Sequence, residues 1–533
     1  PVQPIELLMR GDNPSEPTRM RAASVFFVVF ALCFGGVCTG CSEEPTAGDS
    51  ADASASSNVE HAFPEGFLWG TATAGFQVDM GCPTLSVTEC DDSQSDWYEF
   101  VTDPVLVKDA SLHIKGDPPS IGPGMWETFD ADFKRAGDEL NNNAIRLSIE
   151  WSRIFPAASA GTATTVEDLA KHANKDAVAH YRKMFDSAKA HGLKLLVTVN
   201  HYTLPLWVHD AKGCNADIAG CKRRGWLDPK TPERIGLYAA YCAQTFGDQI
   251  DLWASLNEPF AVIMSGYILP SKERSNPPGT FLKVKEGVTV AKAMIVGHAK
   301  IYDAITKYDT KDADGDGVLK MVGLVPNLAA VSPSRPDVPG DKLAAERFDY
   351  VYNRFFLDAL TKGSWDPNLD GKIDSVRDDL KGRLDYIGIN YYTRVYVREG
   401  EIPGAADFEM LKFVPDQSKG VWNFDAPGLG EVVAQAASYK LPIIITENGT
   451  FEDKATAFEL RTKPHLLALH AAIKAGVDVR GYFVWSLLDN YEWNHGMALR
   501  FGLYSVDTTD KAKPRTLTEM GKRYGEVAKA NGL

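Results

Sequence analysis

Two glutamates stand where a carboxylate is expensive. Glu447 lies in "ITENG", straight after the apolar run "LPIIIT", and Glu258 lies in "LNEP", straight after "LWASL". A carboxylate at the end of a buried-looking run needs either a partner or a task. The tasks open to it are proton transfer and nucleophilic attack. Other runs end in the same way. "AIRLSI" leads to Glu150, Trp151, Ser152 and Arg153, and "LKLLVTV" leads to Asn200, His201 and Tyr202. "LDYIGI" leads to Asn390, Tyr391 and Tyr392, and "RGYFVWSL" leads to Asp489, Asn490, Tyr491, Glu492 and Trp493. Taken singly, each residue has a plain structural alternative. A lone glutamate or Arg146 is a buried ion-pair partner, His201 a satisfied core histidine, and Trp485, Trp493 and Phe501 ordinary core.

These positions need elements that bring them together. Apolar runs of strand length recur near Phe67, Ala144, Leu193, Leu252, Lys320, Leu384, Leu441 and Arg480. Continuous apolar runs suit strands buried on both faces. Amphipathic segments lie between them, such as Asp176 to Gly192, with Gly192 as a C-cap. Eight strands alternating with helices predict a single (β/α)8 TIM barrel with long loops at its C-terminal face. Periodicity alone also admits a doubly wound open sheet. In a barrel, the polar residues that follow the runs share one mouth.

Seven motifs then occur in order: "FLWGTATAGFQ", "IRLSIEWSRIFP", "NHYTLPLWV", "LNEP", "IGINYYTR", "ITENG" and "WSLLDNYEW" with "RFGLYSVD". Together they resemble the retaining β-glycosidases of glycoside hydrolase family 1, over about Phe63 to Asp507. The resemblance implies cleavage of a glycosidic bond by two carboxyl groups through an oxocarbenium-like transition state. It makes Glu447 the nucleophile and Glu258 the acid/base. It also implies that Arg146 and Tyr392 contact the nucleophile and that Asn257 binds the sugar 2-OH. Gln77, His201, Glu492 and Trp493 then hold outer hydroxyls, Trp485 lies under the pyranose ring, and Phe501 forms the pocket wall. Glu258 is expected to have its pKa raised by burial and by the neighbouring charge, with Glu447 kept ionised. An anionic Glu492 is expected to repel a 6-phosphate. The usual His-Trp pair is His201-Tyr202 here, and "SDWYEF" and "GPGMWETF" look closer to archaeal-type members. No cofactor is implied.

The chain has 533 residues and a formal net charge of -15. It shows no basic footprint for nucleic acid. Residues 1–41 read as an upstream segment plus a signal peptide: Arg19, Met20 and Arg21, then "AASVFFVVFALCFGGV", then "VCTGC" ending at Cys41. This resembles a lipoprotein signal lipidated at Cys41, although Cys38 stands where Leu is usual. An ordinary cleaved signal or an anchor helix is the alternative. Residues 42–60 are small, polar and acidic and read as a disordered tether; residues 61–533 form the hydrolase domain. The expected location is periplasmic or cell-surface, with membrane contact only through the lipid. In an oxidising compartment Cys82–Cys90 and Cys214–Cys221 are possible disulfides.

Two acidic loops offer weak calcium candidates: Asp312, Asp314 and Asp316, and Asp366, Asn368 and Asp370. Both lack the closing glutamate of an EF-hand, with Gly323 and Arg377 in its place. Solvated turns are the plainer reading. For function, β-glucosidase is expected, with a β-galactosidase or β-fucosidase preference as the alternative. A catalytically inactive carbohydrate-binding relative and an adhesion platform are the competing non-enzymes.

Overall fold

The computed structural model describes residues 60–533. The leader, Cys41 and the tether up to residue 59 lie outside the described residues. Eight parallel strands close into one barrel in chain order. They are β1 (Leu68–Ala72), β2 (Ala144–Ser148), β3 (Lys194–Asn200), β4 (Leu252–Asn257), β5 (Met321–Val325), β6 (Tyr386–Asn390), β7 (Ile443–Asn448) and β8 (Val479–Trp485). The seam closes between β1 and β8, with Leu68 opposite Gly481 and Ala72 opposite Trp485. Each strand is one of the eight apolar runs.

The runs are continuous because both faces are covered. Every residue of β2, β6 and β7 is buried. The outer faces pack on helices such as α1 (Lys175–Ala190), α2 (Thr231–Phe246) and α3 (Val284–Tyr308). Helix α1 starts at Asn174, whose side chain accepts from the Asp176 and Ala177 amides, and ends before Gly192 at φ 74°. Inside the barrel, large rings alternate with missing side chains. A Cβ on Gly70 would lie 2.4 Å from the Phe483 ring, and one on Gly323 2.5 Å from the Tyr386 ring. Tyr386 Oη donates to the Trp253 carbonyl at 3.0 Å, so the filled interior leaves no orphan hydroxyl there.

The C-terminal face carries more structure than the runs foretell. Ala330–Pro333, after β5, pairs in parallel with Arg394–Arg398, after β6, which also pairs with Val414–Pro415. This small sheet stands beside the mouth. At the opposite end the described termini meet. The Phe63 amide donates to the Asn531 carbonyl at 2.9 Å, and Asn531 Oδ1 accepts from Trp69 Nε1 at 2.9 Å.

Cys82 is bonded to Cys90 in the loop after β1, and Cys214 to Cys221 in the loop after β3. Cys242 is free and buried within α2, where burial raises its thiol. The acidic loop after α3 is arranged differently from an EF-hand. Asp312 and Asp314 converge with Asp251, from the strand side, to within 4.8 Å, and Asp316 is not part of that group. Asp312 accepts from the Gly315 and Gly317 amides, and Asp314 pairs with Lys194 at 2.8 Å. In the second turn, shared with Asn368 and Asp370, Asp366 accepts from Tyr350 Oη and the Gly371 amide. These carboxylates already serve their own loops.

Each disulfide closes a loop of eight or seven positions. Loop entropy alone makes such a crosslink worth about 2–3 kcal/mol. The double variant Cys82→Ser/Cys90→Ser is expected to lower the unfolding free energy by that amount, read from urea unfolding under non-reducing conditions.

Candidate active site

The strand ends converge on a common cavity. Gln77 comes from the short helix after β1, Arg146 from β2, and His201 and Tyr202 from just beyond β3. Asn257 ends β4 and Glu258 follows it; Asn390 ends β6 and Tyr392 lies just beyond. Glu447 is within β7, Trp485 ends β8, and Glu492, Trp493 and Phe501 follow. The cavity holds about 290 Å³ and is lined by both glutamates. All the residues singled out in the sequence for catalysis and sugar binding meet here.

Arg146 is fully buried and organises the floor. Its Nη1 donates to Glu447 Oε1 at 2.6 Å and to the Thr446 carbonyl at 3.3 Å. Nη2 donates to Asn257 Oδ1 at 2.6 Å, and Nε to Thr198 Oγ1 at 3.1 Å. Tyr392 Oη donates to Glu447 Oε2 at 2.8 Å. Glu447 thus has one cationic and one phenolic donor. Glu258 has only neutral ones: Asn390 Nδ2 at 2.8 Å on Oε1, and the Tyr202 hydroxyl on Oε2.

Burial nevertheless pushes the Glu447 carboxyl up, to about 7; Arg146 opposes this, the charge on Glu258 adds to it, and the Tyr392 and Arg146 hydrogen bonds oppose it. This differs from the expectation of a simply ionised Glu447. Two carboxylates share one enclosed volume, so the second charge is costly wherever it sits.

The amide orientations fix a tautomer. Asn257 Oδ1 accepts from Arg146 and from Asn390 Nδ2, so its Nδ2 faces His201 Nε2 at 3.2 Å. His201 Nε2 therefore accepts, and its proton sits on Nδ1. Burial, then Arg146 and Arg274, hold the ring well below its ordinary pKa, so it is neutral. Nδ1 and Gln77 Oε1 are both buried without a protein partner. One is a donor and one an acceptor, the pairing that a sugar hydroxyl needs. Gln77 Nε2 is spent on the Tyr491 carbonyl and Glu492 Oε2, both at 3.1 Å.

Two residues here escaped sequence reasoning. Arg274, in the loop between β4 and α3, donates to Glu492 Oε1 at 3.2 Å, while its Nη1 is buried without a partner. The Glu492 charge is thus paired, and its repulsion of a 6-phosphate is weaker than a bare carboxylate would give. Trp422 stands edge-on to Tyr392, with ring centroids 6.0 Å apart, and widens the aromatic wall begun by Phe501. Neither position follows a strand-like run, so neither carried a signal.

Residues 59–533 match Glycosyl hydrolase family 1. The chain belongs to that family. As a family 1 member it is a glycoside hydrolase, and its barrel is the family's. It is 33% identical to a beta-galactosidase of Pyrococcus woesei, over 88% of this chain and 98% of the relative. It is 29% identical to beta-glucosidase 47 of Arabidopsis thaliana, over 87% of this chain and 84% of the relative. Among solved structures, the beta-glycosidase of Thermosphaera aggregans superposes with a TM-score of 0.74 at 28% identity, covering 89% of this chain and 98% of that one. The pH dependence of the Glu447 charge is measurable. Activity that needs ionised Glu447 is lost as pH falls through about 7. The acidic limb of kcat/KM is expected to follow this ionisation. Arg146→Met is expected to move it up. A dinitrophenyl glycoside, whose leaving group needs no proton, isolates this limb.

Proposed function

We propose that the protein hydrolyses β-glycosidic bonds at the non-reducing end of small β-glucosides, with retention, by double displacement. One observation carries the division of labour: a guanidinium sits on Glu447 and none touches Glu258. The carboxylate beside a cation is the one suited to remain charged and attack C1. The carboxyl with neutral partners is the one suited to hold and return a proton.

In the first step Glu447 attacks C1 as Glu258 protonates the leaving oxygen. In the second, Glu258 takes a proton from water, and water displaces Glu447 from the glycosyl-enzyme. Asn257, locked by Arg146, presents its Nδ2 beside His201, in reach of a 2-OH whose bond strengthens in the transition state. Trp485 stacks near His201 at 5.9 Å and offers an apolar face to the ring. The Gln77 acceptor and the His201 donor take an outer hydroxyl.

The beta-galactosidase names of the archaeal relatives favour a second reading, in which a galactoside is preferred. Glucose and galactose differ at O4, and the groups described here accept either epimer. Export remains our reading of the leader, supported by two disulfides that suit an oxidising compartment.

A panel of aryl β-D-glucoside, galactoside, fucoside and 6-phosphoglucoside, with NMR of the first-released anomer, tests the proposal. The β-anomer from the glucoside is expected; an α-anomer sinks double displacement. Glu447→Ala is expected to lose nearly all turnover. Glu258→Ala is expected to lose about 10²–10⁴-fold on substrates with poor leaving groups. Added azide is then expected to restore turnover of a dinitrophenyl glucoside and yield a β-glucosyl azide.

A further inference from the structure

Tyr202 occupies the place where the family motif usually has tryptophan, and its hydroxyl reaches Glu258 Oε2. The residue is buried, 4% exposed. Its backbone is in the left-handed region at φ 73°, as is that of Glu258 at φ 41°. A non-glycine residue persists there only when its surroundings hold it. They do: the Thr203 amide donates to the His201 carbonyl at 3.0 Å, and Asn200 Nδ2 donates to the Thr203 carbonyl at 2.7 Å. The Tyr202 ring packs on Trp493 with centroids 4.9 Å apart, and the Arg274 guanidinium lies 5.9 Å from its centre. The hydroxyl is therefore aimed by the fold.

The two partners of Glu258 differ in kind. Asn390 Oδ1 accepts from Thr446 Oγ1 at 2.8 Å, which turns its Nδ2 toward Glu258 Oε1. Asn390 can only donate. The Tyr202 hydroxyl can donate to a carboxylate or accept from a carboxylic acid. Burial, then the Glu258 charge, holds the phenol well above its ordinary pKa, so it keeps its own proton.

We propose that Tyr202 is a positioning residue for Glu258, its hydroxyl reversing its hydrogen bond as the carboxyl changes protonation state. This rests on the reading of Glu258 as the acid/base. With Glu258 protonated on Oε2, Tyr202 Oη accepts that proton's hydrogen bond until a glycosidic oxygen displaces it. The proton then passes to that oxygen, the C1–O bond breaks, and its electron pair leaves with the alcohol. The new carboxylate receives the Tyr202 O–H. The hydrogen bond favours the product of proton donation. When Glu258 later accepts a proton from water, the hydroxyl turns back. The other charged or titratable groups around this carboxyl are Arg146, His201, Arg274, Tyr352, Tyr392 and Glu447, and none of them hydrogen-bonds to it.

The test compares wild type, Tyr202→Phe and Tyr202→Trp, each confirmed folded by its thermal transition. kcat/KM is measured across pH for a phenyl and a 2,4-dinitrophenyl β-glucoside. A hydrogen bond to a charged group supports an expected loss of about tenfold or more on the phenyl substrate in both variants. The dinitrophenyl substrate is expected to change less than about threefold, because its departure needs no proton. The alkaline limb on the phenyl substrate is expected to move to higher pH in Tyr202→Phe, since the lost donor favoured the carboxylate. Equal losses on both substrates with an unmoved limb overturn the proposal and leave Tyr202 as packing. Full activity in Tyr202→Phe overturns it as well. Azide rescue of Glu258→Ala separates the two readings: without rescue the acid/base assignment itself fails, whereas with rescue and a silent Tyr202→Phe only the role of Tyr202 falls.

Discussion

The buried contact between Arg146 and Glu447 is the constraint on which the site depends. Arg146 rises from β2, and its five N–H groups reach β3, β4 and β7. Such a cation is tolerable only with its hydrogen bonds made, and losing one partner of a buried pair costs about 3–5 kcal/mol. The same guanidinium therefore holds the nucleophile candidate, orients Asn257 and, through Asn257, sets the proton on His201. One hydrogen-bond network thus ties β2, β3, β4 and β7 to the cavity at the mouth.

That network gives two similar side chains different surroundings. Glu447 and Glu258 are both nearly devoid of solvent. One is paired with a cation, the other with an amide and a phenol. In an enclosed volume the placement of the Arg146 guanidinium sets the two carboxylates apart electrostatically. Three of the buried donors and acceptors without a partner lie together. Gln77 Oε1, His201 Nδ1 and Arg274 Nη1 all border the cavity, and a polyhydroxylated ring supplies what they lack.

The strands and the two glutamates were legible because burial leaves a strong mark. A strand covered on both faces must be apolar along its length, and a carboxylate at its exit then stands out. Trp485 and Tyr392 were legible only through the order of the motifs, since a lone aromatic looks like core. Arg274 was not legible. It lies in a polar loop with no period, and only the fold brings it to Glu492, 218 positions away. The contact between Tyr202 and Glu258 was hidden for the same reason: a departure from the His-Trp pattern was visible, but its partner was not. The small sheet of Ala330–Pro333, Arg394–Arg398 and Val414–Pro415 is mostly half-buried, so its strands lack the continuous apolar run that marks the barrel strands. Asp251 joins Asp312 and Asp314 across 61 positions (312 − 251), which no loop motif could reveal.

The meeting of the described termini at the barrel floor has a practical consequence. Phe63 and Asn531 are hydrogen-bonded neighbours on the side away from the mouth. A bead, a fused partner or a surface tag attached at either end leaves the opening facing outward into the medium. A short linker between those ends, with a new cut in an exposed loop, gives a circularly permuted gene whose product need not move any strand.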